Sequence, residues 1–137
     1  IVFGDWSSDV CSSDLEMLAY LDNDLHDTVY ANSLIRLLRT CEDSRKWPVI
    51  CRSLRDPSPL VRSSAAETLA QNQSPDTVKG LIEATDDDFL LVRIRAAAAL
   101  ASFPKKLVQG QDLSGVRNAT QEYIDSLMAR PDRKSVV

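Results

Sequence analysis

The side chains that could build a catalyst or a metal site are few: a single histidine, His26, three cysteines at Cys11, Cys41 and Cys51, and the run Asp86-Asp87-Asp88. A zinc or haem centre needs several donors at fixed spacing, and the chain has no Cys-x-x-Cys pair and no second histidine. A calcium loop would need alternating ligands, a central glycine and a closing glutamate, so the aspartate run reads as helix-capping charge instead. The serines lack a basic partner and there is no Gly-rich phosphate loop. The expectation is therefore no catalytic residue, no cofactor and no metal. Cys41 and Cys51 read as thiols on apolar helix faces rather than as a bridge. What remains is charge at helical spacing. Arg62, Glu67, Arg93 and Arg95 are candidates for contact with another protein.

Composition narrows the partners. Leu, Ile, Val and Phe make up 37 of the 137 residues, enough apolar volume for one small globular unit. With 20 acidic against 16 basic residues, net charge −4, the chain has no electrostatic funnel for nucleic acid or anionic lipid. No apolar run approaches a membrane span, and no basic stretch leads into an apolar segment with a cleavage site, so the chain as given is expected to be soluble and without an export signal.

The elements that must position these charges come from an internal repeat. The shift that lays Asp56 on Asp87 also lays Leu60, Val61, Arg62, Ala65, Ala66, Leu69 and Ala70 on Leu91, Val92, Arg93, Ala96, Ala97, Leu100 and Ala101, eight identities in fifteen positions. The register continues upstream, pairing Trp47, Ile50 and Cys51 with Val78, Leu81 and Ile82. A weaker copy emerges when the shift is one residue longer, where Asp24, Val29 and Leu37 fall under Asp56, Val61 and Leu69, with Leu18 and Ala19 under Ile50 and Cys51.

Each copy reads as two helices. Ser44 is expected to cap a helix to about Arg55 with the stripe Trp47, Ile50, Cys51 and Leu54, and Pro48 is tolerated in its first turn. Asp56-Pro57-Ser58-Pro59 breaks it; Ser58 as N-cap with Pro59 at N1 opens the next helix, whose stripe is Leu60, Val61, Ala65 and Leu69. Ser74 and Pro75 repeat that start for Val78, Leu81 and Ile82, with Gly80 inside the helix, and the aspartate run caps a helix from near Phe89 to Ser102. Ala96 to Ala99 are small enough for helices to approach closely on both sides. After Phe103 the period is lost: residues 104–112 read as a loop, and residues 113–131 as a last helix with Val116, Ala119, Tyr123, Leu127 and Met128 on one face. The fold class is all-α, an array of about two and a half helix pairs (16–41, 44–72, 74–103) plus a C-terminal helix.

Both ends carry a different signature. Asp5-Trp6-Ser7-Ser8-Asp9-Val10-Cys11-Ser12-Ser13-Asp14-Leu15 resembles translated sequencing-adapter DNA, and Asp132-Arg133-Lys134-Ser135-Val136-Val137 resembles an adapter read in the opposite sense. On that resemblance residues 1–15 and 132–137 are adapter-derived, the chain is a metagenomic fragment of a larger protein, and the remainder has 16 acids and 14 bases, net −2.

The motif Asp56-Pro57-x-x-Leu60-Val61-Arg62, with its counterpart Asp87-x-x-x-Leu91-Val92-Arg93, each followed by Ala-Ala-x-x-Leu, resembles HEAT repeats of the short bacterial kind. The resemblance covers residues 16 to 103 and implies an α-solenoid in which the Val-Arg-x-x-Ala-Ala helix is the inner one. It also implies that Arg62 and Arg93 hold one unit against the next. Tyr30 to Arg39 and Glu122 to Pro131 further resemble bacterial multihaem c-type cytochromes that carry HEAT units followed by tetratricopeptides. That likeness implies a periplasmic location, against a cytoplasmic one otherwise, but this chain holds none of the haem-binding motifs.

The function implied is a non-catalytic scaffold, binding a protein partner or other domains of its parent chain through Arg62, Glu67, Arg93 and Arg95. The alternative is a subunit like the HEAT-repeat bilin lyases, which would need a pigment pocket. Open repeat ends also imply self-association.

Overall fold

The computed structural model describes residues 12–23 and 25–129. These form eight α-helices: α1 (Ser12–Leu21), α2 (Thr28–Leu38), α3 (Lys46–Ser53), α4 (Pro59–Leu69), α5 (Pro75–Ala84), α6 (Leu90–Ala101), α7 (Lys105–Val108) and α8 (Ser114–Met128). The described residues contain no strand. Helices α1 and α2, α3 and α4, and α5 and α6 pair as hairpins; α2, α4, α6 and α8 lie side by side as an inner row, backed by α1, α3 and α5. The architecture is a HEAT-like helical solenoid. Cys11, Asp24, most of the first adapter-like segment, all of the second and the end expected for the last helix lie outside the described residues, while Ser12 to Leu15 form the first turn of α1.

The period is set at the helix starts. Asp27, Ser58 and Phe89 are the N-caps of α2, α4 and α6, spaced evenly by one period. The turn before each later helix is built by an aspartate two residues ahead of the amide that it satisfies. Asp56 Oδ1 accepts from the Ser58 amide, Asp87 Oδ1 from the Phe89 amide and Asp112 Oδ1 from the Ser114 amide, at 2.9, 2.9 and 3.0 Å. The aspartate run thus makes a turn rather than the cap itself. Asp43 does the same ahead of α3, accepting from the Arg45 amide at 2.9 Å, so that helix starts at Lys46 and Ser44 is not its cap. Hydrogen bonds from Arg45 hold the Asp43 carboxyl below the usual carboxylate range, and the Ser114 amide does so for Asp112. Among the described residues only Ser74 and Asp27 cap through their side chains, accepting from the Thr77 and Tyr30 amides.

Counting from these caps, three layers of equivalent residues form the core of the inner row: Leu34, Ala65 and Ala96; Ile35, Ala66 and Ala97; Leu38, Leu69 and Leu100. All nine are 4% exposed or less. Large residues in α2 give way to alanine in α4 and α6, so the central helices approach closely and stability is distributed over many contacts of the stack.

Four further expectations need correction. The first copy keeps the spacing of the other two instead of one residue more, and one residue of slip turns a helix by roughly 100°. Val29 and Leu37 are consequently 66% and 59% exposed, and Ala31, Leu34, Ile35 and Leu38 are buried in their place. Leu60 is 40% exposed, outside the buried stripe. The stretch after Pro104 contains a helical turn, α7, whose Leu107 and Val108 are half-buried against the core. On α8, Val116 and Ala119 pack inward but Tyr123, Leu127 and Met128 are exposed. The packed stripe is Gly115, Ala119 and Glu122, because Gly115 lets the backbone come down on Thr85 and Glu122 reaches Arg93.

Candidate functional site

Arg62 and Arg93 occupy equivalent places and make equivalent bonds. The Arg62 guanidinium donates from Nη1 to the Asp56 and Pro57 carbonyls at 2.7 and 3.0 Å, and from Nε and Nη2 to the Asp87 carboxylate at 2.7 and 3.1 Å. Its central carbon lies 5.5 Å from the Phe89 ring centroid. Arg93 donates to the Asp87 carbonyl at 2.7 Å and to Glu122 Oε2 at 2.9 Å. Each arginine therefore ties the turn of its own unit to a carboxylate of the next. In the first unit His26 takes that part: its two ring nitrogens lie 2.5 Å from the Asn23 carbonyl oxygen and 2.6 Å from Asp56 Oδ2. The His26 and Asp56 side chains are 9% and 8% exposed, so the pair is held within the junction between the first two units.

Glu67 and Arg95 are placed differently. Arg39 Nη1 and Arg95 Nη1 reach the two oxygens of Glu67 at 3.4 and 3.2 Å, and Arg95 also donates to Ser63 Oγ at 3.3 Å. The side chains of Arg39, Glu67 and Arg95 are 37%, 36% and 30% exposed, against 13% for Arg62 and 23% for Arg93. They form a charge ladder across α2, α4 and α6 that water, or a partner, can reach. Sequence reasoning missed Arg39. The signal was present in the numbering: Glu67 stands midway between Arg39 and Arg95, each step slightly less than one period, and on the outer side Arg55, just past α3, pairs with Glu83 of α5 at the same offset.

An apolar row runs beside the ladder. Val29, Leu60 and Leu91 are equivalent positions one period apart, 66%, 40% and 48% exposed. Leu60 and Glu67 are two helical turns apart on α4 and Leu91 and Arg95 one turn apart on α6, spacings that place each pair on one helix face. The exposed face of the inner row therefore presents leucine and valine at one end and mixed charge at its middle.

The outer side offers a cleft of about 480 Å³ between α3 and α5, lined by Cys51, Arg52, Leu54, Arg55, Asp76, Lys79, Gly80 and Glu83. Burial raises the Cys51 thiol above its ordinary pKa, and Thr77 Oγ1 is 3.7 Å from its sulfur. Cys41, also raised by burial, donates to Asp14 Oδ2 at 3.2 Å. Both are free thiols. Among the described residues no three of His, Cys, Asp and Glu gather to hold a metal, and no helix is long and apolar enough to cross a membrane.

A search of curated proteins finds no match to the chain. A family model described as HEAT repeats matches residues 15–101, from within α1 to the end of α6 and well over half of the sequence. The chain belongs to the HEAT-repeat family.

Proposed function

We propose that this chain is a non-catalytic scaffold that binds a segment of a protein partner on the exposed face of α2, α4 and α6. The observation that carries the reading is the division of labour among its arginines. Arg62 and Arg93 are spent on junctions between units, whereas Arg39, Glu67 and Arg95 stay about one-third exposed beside the row Val29, Leu60 and Leu91. Within the family HEAT repeats serve as protein-interaction scaffolds. A face of this kind gains affinity from the apolar row and orientation from the charges, and the ladder's mixed sign favours a partner with both acidic and basic side chains.

Photocrosslinking tests the assignment. A photoreactive residue at position 60 should capture the partner, and one at position 55 on the outer side, just past α3, should not. Capture from position 55 alone would overturn the assignment of the face.

A further inference from the structure

The inner row is a repeating contact, and the repeat shows which face of α2 belongs to it. On α4 Ser64 turns toward α2, its hydroxyl donating to Asn32 Oδ1, and by helix spacing Val61 and Thr68 share that face; the three are 0%, 2% and 0% exposed in the order Val61, Ser64, Thr68. One period earlier stand Tyr30, Ser33 and Leu37. Tyr30 and Leu37 are 54% and 59% exposed, and Ser33 is exposed too. α2 thus leaves exposed the surface that α4 buries, with Tyr30 and Leu37 in place of the smaller Val61 and Thr68.

The other end of the row is open in the complementary sense. Helix α8 continues the row beyond α6, with Gly115 over Thr85 and Asp86 at the end of α5, Ala119 buried and Glu122 bonded to Arg93 of α6. By helix periodicity Ile124 and Met128 lie roughly 140° and 180° around α8 from Ala119, with Leu127 between that side and the packed one. They are 45%, 73% and 44% exposed.

We propose that a second copy of this chain docks here, the open side of α8 in one copy seating on the Tyr30 and Leu37 face of α2 in the next. The contact continues the stacking step that already joins α2 to α4, α4 to α6 and α6 to α8. It pairs two different surfaces, so it is heterologous and grows head to tail rather than closing as a twofold dimer. The inference rests on end faces and is independent of the binding face proposed above.

Sedimentation velocity on the 137-residue chain over a wide concentration range tests it, with two variants at exposed positions. The average mass should rise with concentration above the 15.2 kDa of one chain. Leu37→Glu blocks one end, and the double variant Ile124→Glu/Met128→Glu blocks the other. Each alone should sediment as a monomer, with apparent self-affinity reduced by at least about ten-fold. Mixed, they should form a single 1:1 dimer and nothing larger, since each retains one working end. Circular dichroism confirms that both variants stay helical. A wild-type chain monomeric at every concentration would overturn the proposal, as would association of either folded variant by itself or a mixture that stays monomeric.

Discussion

Arg62 Nε lies 2.7 Å from Asp87 Oδ2, and the two side chains, 13% and 12% exposed, close the junction between the α3/α4 and α5/α6 hairpins. A two-point contact of this kind depends on the planar fork of arginine, and breaking it leaves a carboxylate facing a junction with little water. Arg62→Ala should cost about 2 kcal/mol of unfolding free energy, and Arg62→Lys should recover less than half of that. Urea denaturation measures both. A loss below about 0.5 kcal/mol would mean the pair behaves as a surface ion pair.

Glu67 should behave in the opposite way. Its pairs with Arg39 and Arg95 are about one-third exposed, so solvent screens them and Glu67→Gln should change stability by less than about 0.5 kcal/mol while weakening partner binding. Thermal unfolding beside a binding titration separates the two effects. A large stability loss with unchanged binding would reassign the ladder to structure.

How much of this was legible beforehand depends on what each residue reports. Ser58-Pro59 and Ser74-Pro75 announce helix starts because proline lacks the amide that a first turn leaves unused, and both starts fall at those residues. The all-helical array followed from the period, and the HEAT family from the resemblance carried by Asp56 to Arg62 and its counterpart Asp87 to Arg93. The first copy was less legible, since Ala31 stands where Arg62 and Arg93 carry the motif, and a shift one residue too long then matches residue types better than the true register does. The rotation of α8 was hidden because apolar content at helical spacing names a stripe without saying what will cover it. In this helix a glycine contact and an ion pair decided the packed side. Side chains nearly one period apart meet across neighbouring helices, so a search along single helices overlooks Arg39.

Gly115 and Gly80 make contrasting predictions. A Cβ at Gly115 would collide with Thr85 Oγ1 and sit 3.0 Å from Asp86 Oδ1, whereas one at Gly80 would meet only the Leu54 Cδ1 methyl, also at 3.0 Å. Thr85 is 2% exposed and donates to the Ile82 carbonyl, so it cannot swing aside. Gly115→Ala should destabilise by about 1 to 3 kcal/mol despite its better helix propensity. Adding Thr85→Ala should return part of that loss in a double-mutant cycle. Gly80→Ala should be neutral or stabilising by up to about 1 kcal/mol, as Leu54 can change rotamer.

The raised pKa of the Cys51 thiol leaves it less thiolate at any given pH than a free cysteine, and thiolate is the form that alkylates. In a Cys11→Ser/Cys41→Ser background, iodoacetamide should label Cys51 more slowly than it labels the urea-unfolded chain at pH 8, and the native rate should still climb where that of a free thiol has levelled. Equal rates in the two states would contradict the burial that raises it. Because both described thiols are free, dithiothreitol should leave the melting temperature unchanged.

The most direct test of the central claim, that the exposed face of the inner row is the working surface, is a calorimetric titration of the crosslinked partner against two variants. Leu60→Glu/Leu91→Glu alters the apolar row at two exposed positions, and Arg55→Glu alters the outer side. The account predicts a loss of at least about ten-fold in affinity for the first, with its melting temperature preserved, and no change for the second. Wild-type affinity in the Leu60→Glu/Leu91→Glu variant would contradict it.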